Sequence, residues 1–288
     1  MDMHINWFPG HMVKTRREIT NNLKLVDVVI EIRDARIVRS SKNPEIEKIL
    51  GDKPRIILLN KADMAEERVT KNWKKKLEND NTLVLEVNCI TGKGLNAIKP
   101  TIELLLKDKL ARSKARGIVH YEIRAMVVGI PNVGKSSFIN RMSKSAIAKV
   151  GNRPGVTKNK QWIKTKDGIE LLDTPGILWP KFEDEETSLN LAFTGAIKDE
   201  IMDIETLALR LVEKLGKHYK HRLMERYNLE EFSDEAIENL DHIAIKRGCI
   251  VKGGEIDYAR VAVLVLDEFR NAKLGPISLE WPEEKDER

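Results

Sequence analysis

Gly129-Ile130-Pro131-Asn132-Val133-Gly134-Lys135-Ser136 is the stretch on which the fold turns. It follows the pattern G-x-x-x-x-G-K-S. Glycines let backbone N–H groups face phosphate oxygens, the lysine reaches the β- and γ-phosphates, and the serine hydroxyl ligates Mg²⁺. The flanking context also fits. The apolar run Arg124 to Val128 reads as a buried strand before the loop, and Ser137 to Met142 reads as a helix after it. Val133, Gly134, Lys135, Ser136 and Ser137 are therefore candidate nucleotide-binding residues. Lys135 has the further task of stabilising charge on a transferring phosphoryl group.

Downstream, Asp173-Thr174-Pro175-Gly176 follows the apolar run Glu170 to Leu172. An Asp-x-x-Gly carries little weight alone. At a strand end and after Lys135, it reads as the segment that senses Mg²⁺ and the γ-phosphate. Asp173 is expected to act through a metal-bound water and the Gly176 N–H to meet the γ-phosphate. Between the two motifs, Thr157 in Gly155-Val156-Thr157 is the well-placed hydroxyl for the other switch, closing on Mg²⁺.

Upstream, Asn60-Lys61-Ala62-Asp63 follows the run Arg55 to Leu59. The Asp63 carboxylate can accept two hydrogen bonds from the N1–H and 2-amino group of guanine, a donor pair that adenine lacks. Asn60 would hold the base site and Lys61 would stack along it. Asn88-Cys89-Ile90-Thr91-Gly92 follows Leu83 to Val87 and would offer backbone N–H groups to the guanine O6.

Strands alternating with helical patterns through the first 180 residues imply a mostly parallel sheet covered on both faces. Helices are expected at Pro44 to Leu50, Glu66 to Asn79 and Leu95 to Leu110. The basic stretch Lys107 to Arg116 reads as a linker or a helix end. Beyond residue 180 three apolar sets recur at helical spacing, from Ile204 to Leu215, Ala236 to Ala244 and Tyr258 to Phe269. They imply a small all-α domain over 181–288 after an α/β domain over 1–180, whose first 24 residues form an arm.

The chain has 288 residues, 41% hydrophobic and 33% charged, enough apolar material for a sizeable core. No apolar run of about 18 residues occurs, which excludes a helical membrane span. Two cysteines, Cys89 and Cys249, exclude a disulfide framework and a cysteine-rich zinc module. With no signal-peptide pattern, a reducing cytoplasm is expected. Residues 1–180 carry 34 Lys and Arg against 20 Asp and Glu, and 181–288 carry 16 against 25. A basic half joined to an acidic half points to a polyanion partner for the first.

The motif order is inverted. Base-reading motifs at 60–63 and 88–92 precede phosphate motifs at 129–136, 157 and 173–176. In an ordinary GTPase they follow, so the domain is circularly permuted. With Trp7-Phe8-Pro9-Gly10-His11-Met12, Asp34-Ala35-Arg36, and Asp173-Thr174-Pro175-Gly176-Ile177-Leu178-Trp179-Pro180, the chain resembles the ribosome biogenesis GTPase A family of circularly permuted GTPases. The likeness extends through Lys246-Arg247-Gly248 and Gly253-Gly254 and so covers nearly the whole chain.

The resemblance implies a Mg²⁺-dependent GTPase that binds GTP and GDP and acts on the immature large ribosomal subunit. It also implies RNA contact by the helical domain, which its net negative charge does not support in bulk, so the contact would fall to a local basic face of Lys217, Lys220, Arg222 and Arg226 or to Lys246-Arg247 and Lys252. Ile177 stands where many GTPases carry the water-orienting Gln, and the resemblance makes His11 the catalytic substitute. It further suggests that Asn132 helps hold a K⁺ ion. The alternative is a nucleotide-gated docking switch with negligible turnover, favoured by Ile177. His218 and His221 have a spacing that permits shared metal ligation, but no third ligand is evident.

Overall fold

In the computed structural model, residues 17–143, 162–174, 176, 184–197, 199 and 203–282 are described. Packing divides the chain into two units. One is Met1–Phe182 with Glu280–Arg288, and the other is Glu183–Leu279. The helical part is thus inserted rather than appended. An expectation that gives it all of 181–288 does not anticipate the return of the chain at Glu280.

The first unit is built on a six-stranded sheet. In chain order the strands are β1 (Val28–Asp34), β2 (Arg55–Asn60), β3 (Thr82–Glu86), β4 (Arg124–Val128), β5 (Trp162–Lys164) and β6 (Glu170–Asp173), and in space β3-β2-β1-β4-β6-β5. All neighbours are parallel except β5, which runs antiparallel to β6 at the edge. A three-residue edge strand has too few residues to show a pattern in the sequence.

β1 is buried along its whole length. Of its polar residues, Glu31 and Arg33 share one face, as the two-residue period requires, and satisfy each other. Arg33 Nε lies 2.7 Å from Glu31 Oε1, and Arg55 on β2 reaches Glu31 Oε2 at 3.1 Å. Apolar side chains close both faces of the sheet. On one face Val29, Met126, Val128 and Leu172 pack with Ile19, Ile46 and Leu50, and farther along the same face Ile57, Leu59 and Val84 pack with Val69 and Trp73, while the opposite face presents buried Ile30, Ile32, Ile56 and Leu58.

Helix α1 (Pro44–Leu50) begins where Asn43 Oδ1 accepts from the Glu45 and Ile46 amides at 2.9 and 3.3 Å, with Pro44 preset for the first turn. Helices α2 (Glu67–Leu77) and α3 (Ile98–Leu105) follow β2 and β3. The stretch read as linker or helix end is a helix of its own, α4 (Lys107–Ala115), with no buried residue. Helix α5 (Lys135–Met142) starts inside the phosphate loop.

The chain runs outward from β1 to β2 and β3 on one side, and on the other it passes from β4 to the edge strand β5 and back to β6 beside β4. The sheet therefore reverses direction between β1 and β4, and a crevice at the strand ends of such a point is where an open α/β sheet takes its ligand.

The second unit holds α6 (Glu185–Phe193), α7 (Ile204–Tyr227), α8 (Ala236–Arg247) and α9 (Tyr258–Arg270). The sequence pattern missed α6, whose apolar and small polar residues are buried together and leave no stripe. α7 is kinked at Tyr219, whose hydroxyl donates to the Ser278 carbonyl at 2.8 Å and accepts from the Ser278 amide at 3.0 Å. Its apolar face, with Leu211, Leu215 and Leu223, is buried. No described helix is long and apolar enough to cross a membrane.

Candidate active site

The phosphate loop joins β4 to α5, and its backbone is shaped for close approach. Gly134 has φ 105°, and a Cβ there would collide with Asn60 Nδ2. Lys135 is folded back on the loop, its Nζ donating to the carbonyls of Gly129 at 3.1 Å and Ile130 at 3.2 Å. Burial pushes its ammonium down to about 8, with the Asp173 carboxylate opposing the shift. Burial in turn pushes the Asp173 carboxyl above its ordinary value, and Lys135 opposes that.

Thr174 hydroxyl donates to the Val127 carbonyl at 2.6 Å and so fixes the segment beyond β6 against β4. A Cβ on Gly176 would lie 2.6 Å from Lys135 Nζ and 3.2 Å from the Pro131 nitrogen. Gly176 thus sits beside both the lysine and the phosphate loop. The Ser136 side chain is exposed at the first turn of α5. Its hydroxyl and the Asp173 carboxylate are the hard oxygen donors that Mg²⁺ takes. Thr157 and His11 lie outside the described residues.

The base-reading motif meets the phosphate loop directly. Buried Asn60 donates from Nδ2 to the Val133 carbonyl at 2.6 Å and accepts at Oδ1 from the Cys89 amide at 2.9 Å. Lys61 Nζ donates to the Asn132 carbonyl at 3.1 Å. Asn132 has φ 60°, a backbone conformation that asparagine tolerates better than most residues. Asp63 is exposed, and its Oδ1 accepts from Asn88 Nδ2 at 2.7 Å.

In the loop 88–92, expected to offer backbone amides to the base, the amides meet acceptors of the protein itself. Asn88 Oδ1 takes the Ile90 and Thr91 amides at 2.8 and 2.9 Å, the Asn88 amide goes to Lys93, and the Gly92 amide goes to Asn88. With the Cys89 amide on Asn60, every N–H of the loop is engaged in holding it. A guanine O6 must share or displace one of these bonds. Cys89 itself is buried, and burial pushes its thiol up to about 12, which leaves it inert.

The site therefore joins loops after β2, β3, β4 and β6, though chain order separates them. The family model described as "50S ribosome-binding GTPase" matches residues 124–244, starting at the first residue of β4. The base-reading motifs lie before that match. Ribosome biogenesis GTPase A of Bacillus licheniformis is 52% identical over 98% of this chain and 100% of its own. The chain belongs to the ribosome biogenesis GTPase A family. It is a GTPase of ribosome biogenesis, with the α/β fold, phosphate loop and permuted order that the sequence implies.

Other members of the same circle agree. Mitochondrial ribosome-associated GTPase 1 of Bos taurus is 33% identical over 95% of this chain and 88% of its own. GNP-bound YlqF from T. maritima is 28% identical, with a TM-score of 0.62 over 94% of this chain and 99% of its own. A GDP-bound TM YlqF structure gives the same TM-score at 29% identity, over 93% and 100%.

In the helical unit, the basic face expected from the sequence is partly paired within the fold, with Lys217 and Lys220 exposed. Arg226 makes a two-point pair with Glu268 at 2.9 and 2.5 Å. Arg222 lies over the Tyr219 ring and reaches the Leu274 carbonyl, Lys220 covers Phe232, and Lys217 pairs with Glu213. Lys246 lies 3.6 Å from Glu230, whereas Lys252 is exposed in the turn before Gly253. Sequence spacing located these cations but not the carboxylates and rings that neutralise or cover them.

Proposed function

We propose that this GTPase binds the immature large (50S) ribosomal subunit and hydrolyses GTP there to promote late maturation, in the cytoplasm. The observation that carries the nucleotide half is the bond from Asn60 to Val133, which joins a guanine-reading strand end to a phosphate loop. The ribosomal half is supported by the relatives' names, by the description of the family model, and by the excess of Lys and Arg in residues 1–180.

Catalysis in this reading is positioning plus charge stabilisation. Lys135 swings from the Gly129 and Ile130 carbonyls to the phosphates and neutralises charge that develops on the γ-phosphoryl oxygens. Ser136 and Asp173, the latter through water, would hold Mg²⁺, and Thr157 would complete its shell. The ion supplies charge neutralisation when bound. Asp63 selects guanine, with Asn60, Lys61, Asn88 and Cys89 shaping the base site. Asn132, exposed in the phosphate loop, would hold K⁺. His11 orients the attacking water in place of the residue that Ile177 cannot supply.

The test is co-sedimentation with purified immature 50S particles in the GTP-analogue and GDP states, over a salt series, beside a multiple-turnover GTP assay. Nucleotide-dependent and salt-sensitive binding with stimulated turnover is expected. Binding to mature and immature particles alike, with no stimulation, would sink the reading.

A further inference from the structure

Asp34, at the end of β1, is buried. Burial alone would raise its carboxyl, but the Arg36 and Lys61 cations outweigh that and hold it well below the usual carboxylate range. Arg36 clasps it from one side. The Arg36 backbone N–H and Nε both reach Oδ1 at 3.0 Å, and Nη2 reaches Oδ2 at 2.8 Å. From the other side Lys61 Nζ reaches the same Oδ2 at 2.8 Å, and that ammonium also holds the Asn132 carbonyl. Lys61 is in left-handed backbone, φ 59°, a conformation that surrounding contacts must offset.

The turn that presents Asp34 is itself pinned. The Asp34 amide donates to Ser41 Oγ at 3.1 Å, and the Ser41 hydroxyl donates to the Ile37 carbonyl at 2.7 Å. Behind it sits the buried Glu280 carboxylate, from the returning end of the chain. It accepts from the Arg39 amide at 2.6 Å, the Ser40 amide at 3.1 Å, and the Ser40 hydroxyl. Trp73 Nε1 donates to the Glu280 carbonyl at 3.2 Å.

We infer that Asp34 is a positioning residue for the nucleotide: it fixes Lys61 across the phosphate loop, and Glu280 fixes the turn that presents Asp34. The inference rests on a guanine nucleotide occupying this site. A lysine that braces the loop acts on bound GDP and GTP alike. Its loss therefore raises KM and speeds release, with little change in kcat.

The experiment measures release of a fluorescent GDP analogue from the full chain, together with kcat and KM for GTP. Removing a charge-assisted contact in Asp34→Asn should speed release by about tenfold or more and raise KM, with kcat within about threefold of wild type. Lys61→Ala should likewise speed release and raise KM. The double variant should release no more than about threefold faster than either single one, because both act through one contact. Glu280→Gln should shift release in the same direction by a few-fold.

A folded Asp34→Asn protein with wild-type release overturns the inference, as do single effects that multiply. Should Asp34→Asn fail to fold by circular dichroism, Glu280→Gln decides, and wild-type release there overturns it. A wild-type chain that retains no GDP defeats the nucleotide reading itself, an outcome the wild-type arm separates from the rest.

Discussion

Asn60 and Val133, 73 positions apart, are joined by a 2.6 Å bond from Nδ2 to the carbonyl oxygen. The same side chain accepts the Cys89 amide, so one buried amide links the loops after β2, β3 and β4. Permutation changes which loop comes first in the chain. It leaves the contact intact, because the contact depends on which strand ends lie side by side.

Replacing Asn60 by Ala strands two buried groups, the Val133 carbonyl and the Cys89 N–H. Each unsatisfied group costs about 1–3 kcal/mol. Asn60→Ala should therefore lower Tm by several degrees and weaken GDP and GTP equally. Differential scanning calorimetry and paired titrations check this, and an unchanged Tm with unchanged affinities would contradict it.

Asp63 makes a different kind of contribution. It is exposed and shares a bond with Asn88, so its loss disturbs little of the fold. Asp63→Asn removes one charge-assisted acceptor and should weaken GTP by about 1.5–3 kcal/mol while leaving Tm in place. Wild-type discrimination between GTP and ATP is the companion measurement. Equal affinity for the two nucleotides would refute the role given to this residue.

The parts of the site legible beforehand were those whose chemistry is local. Lys135 after Gly134, or Asp63 after Asn60, needs only a strand end and the right neighbours. Arg36 and Asp34 stand in the sequence as a marker without a role, since the second partner of Asp34 is Lys61, just beyond another strand. Glu280 gave no signal at all: its partner Ser40 is 240 positions away. Likewise nothing in the spacing of Arg226 announces Glu268. Local pattern reads elements and loops, whereas pairing across the fold needs the fold.

His11 calls for a functional rather than a structural test. Ile177 stands in the sequence where many GTPases carry a water-orienting Gln and cannot hydrogen-bond through its side chain, whereas an imidazole with an unperturbed pKa of ~6.5 can serve near neutrality. If docking on the particle brings His11 to the water, His11→Ala should leave GDP affinity nearly unchanged. Particle-stimulated turnover should fall by ~10²–10⁴. Wild-type turnover by the variant in the presence of particles would remove His11 from the chemistry.

Lys135 ties the site to pH. Its ammonium, pushed down to about 8 by burial, loses its proton well below the ordinary lysine range. The phosphates of GDP favour the charged form, so the bound lysine keeps its proton to higher pH. The sign follows from linkage: between these two values binding takes up a proton, and affinity falls as pH rises. Below pH 7 both states are protonated and affinity is flat. From pH 7 to about 8.5 the Kd for GDP should rise roughly fourfold, as the free lysine titrates and the bound one does not. The Cys89 thiol, at about 12, stays silent in this window. Calorimetric titrations in two buffers of different ionisation enthalpy would count the proton directly. Lys135→Arg supplies the control, since a guanidinium remains charged throughout and should abolish the slope even where affinity is lower. A wild-type Kd constant over this range, with no proton uptake, would mean that Lys135 is already fully charged before the nucleotide arrives.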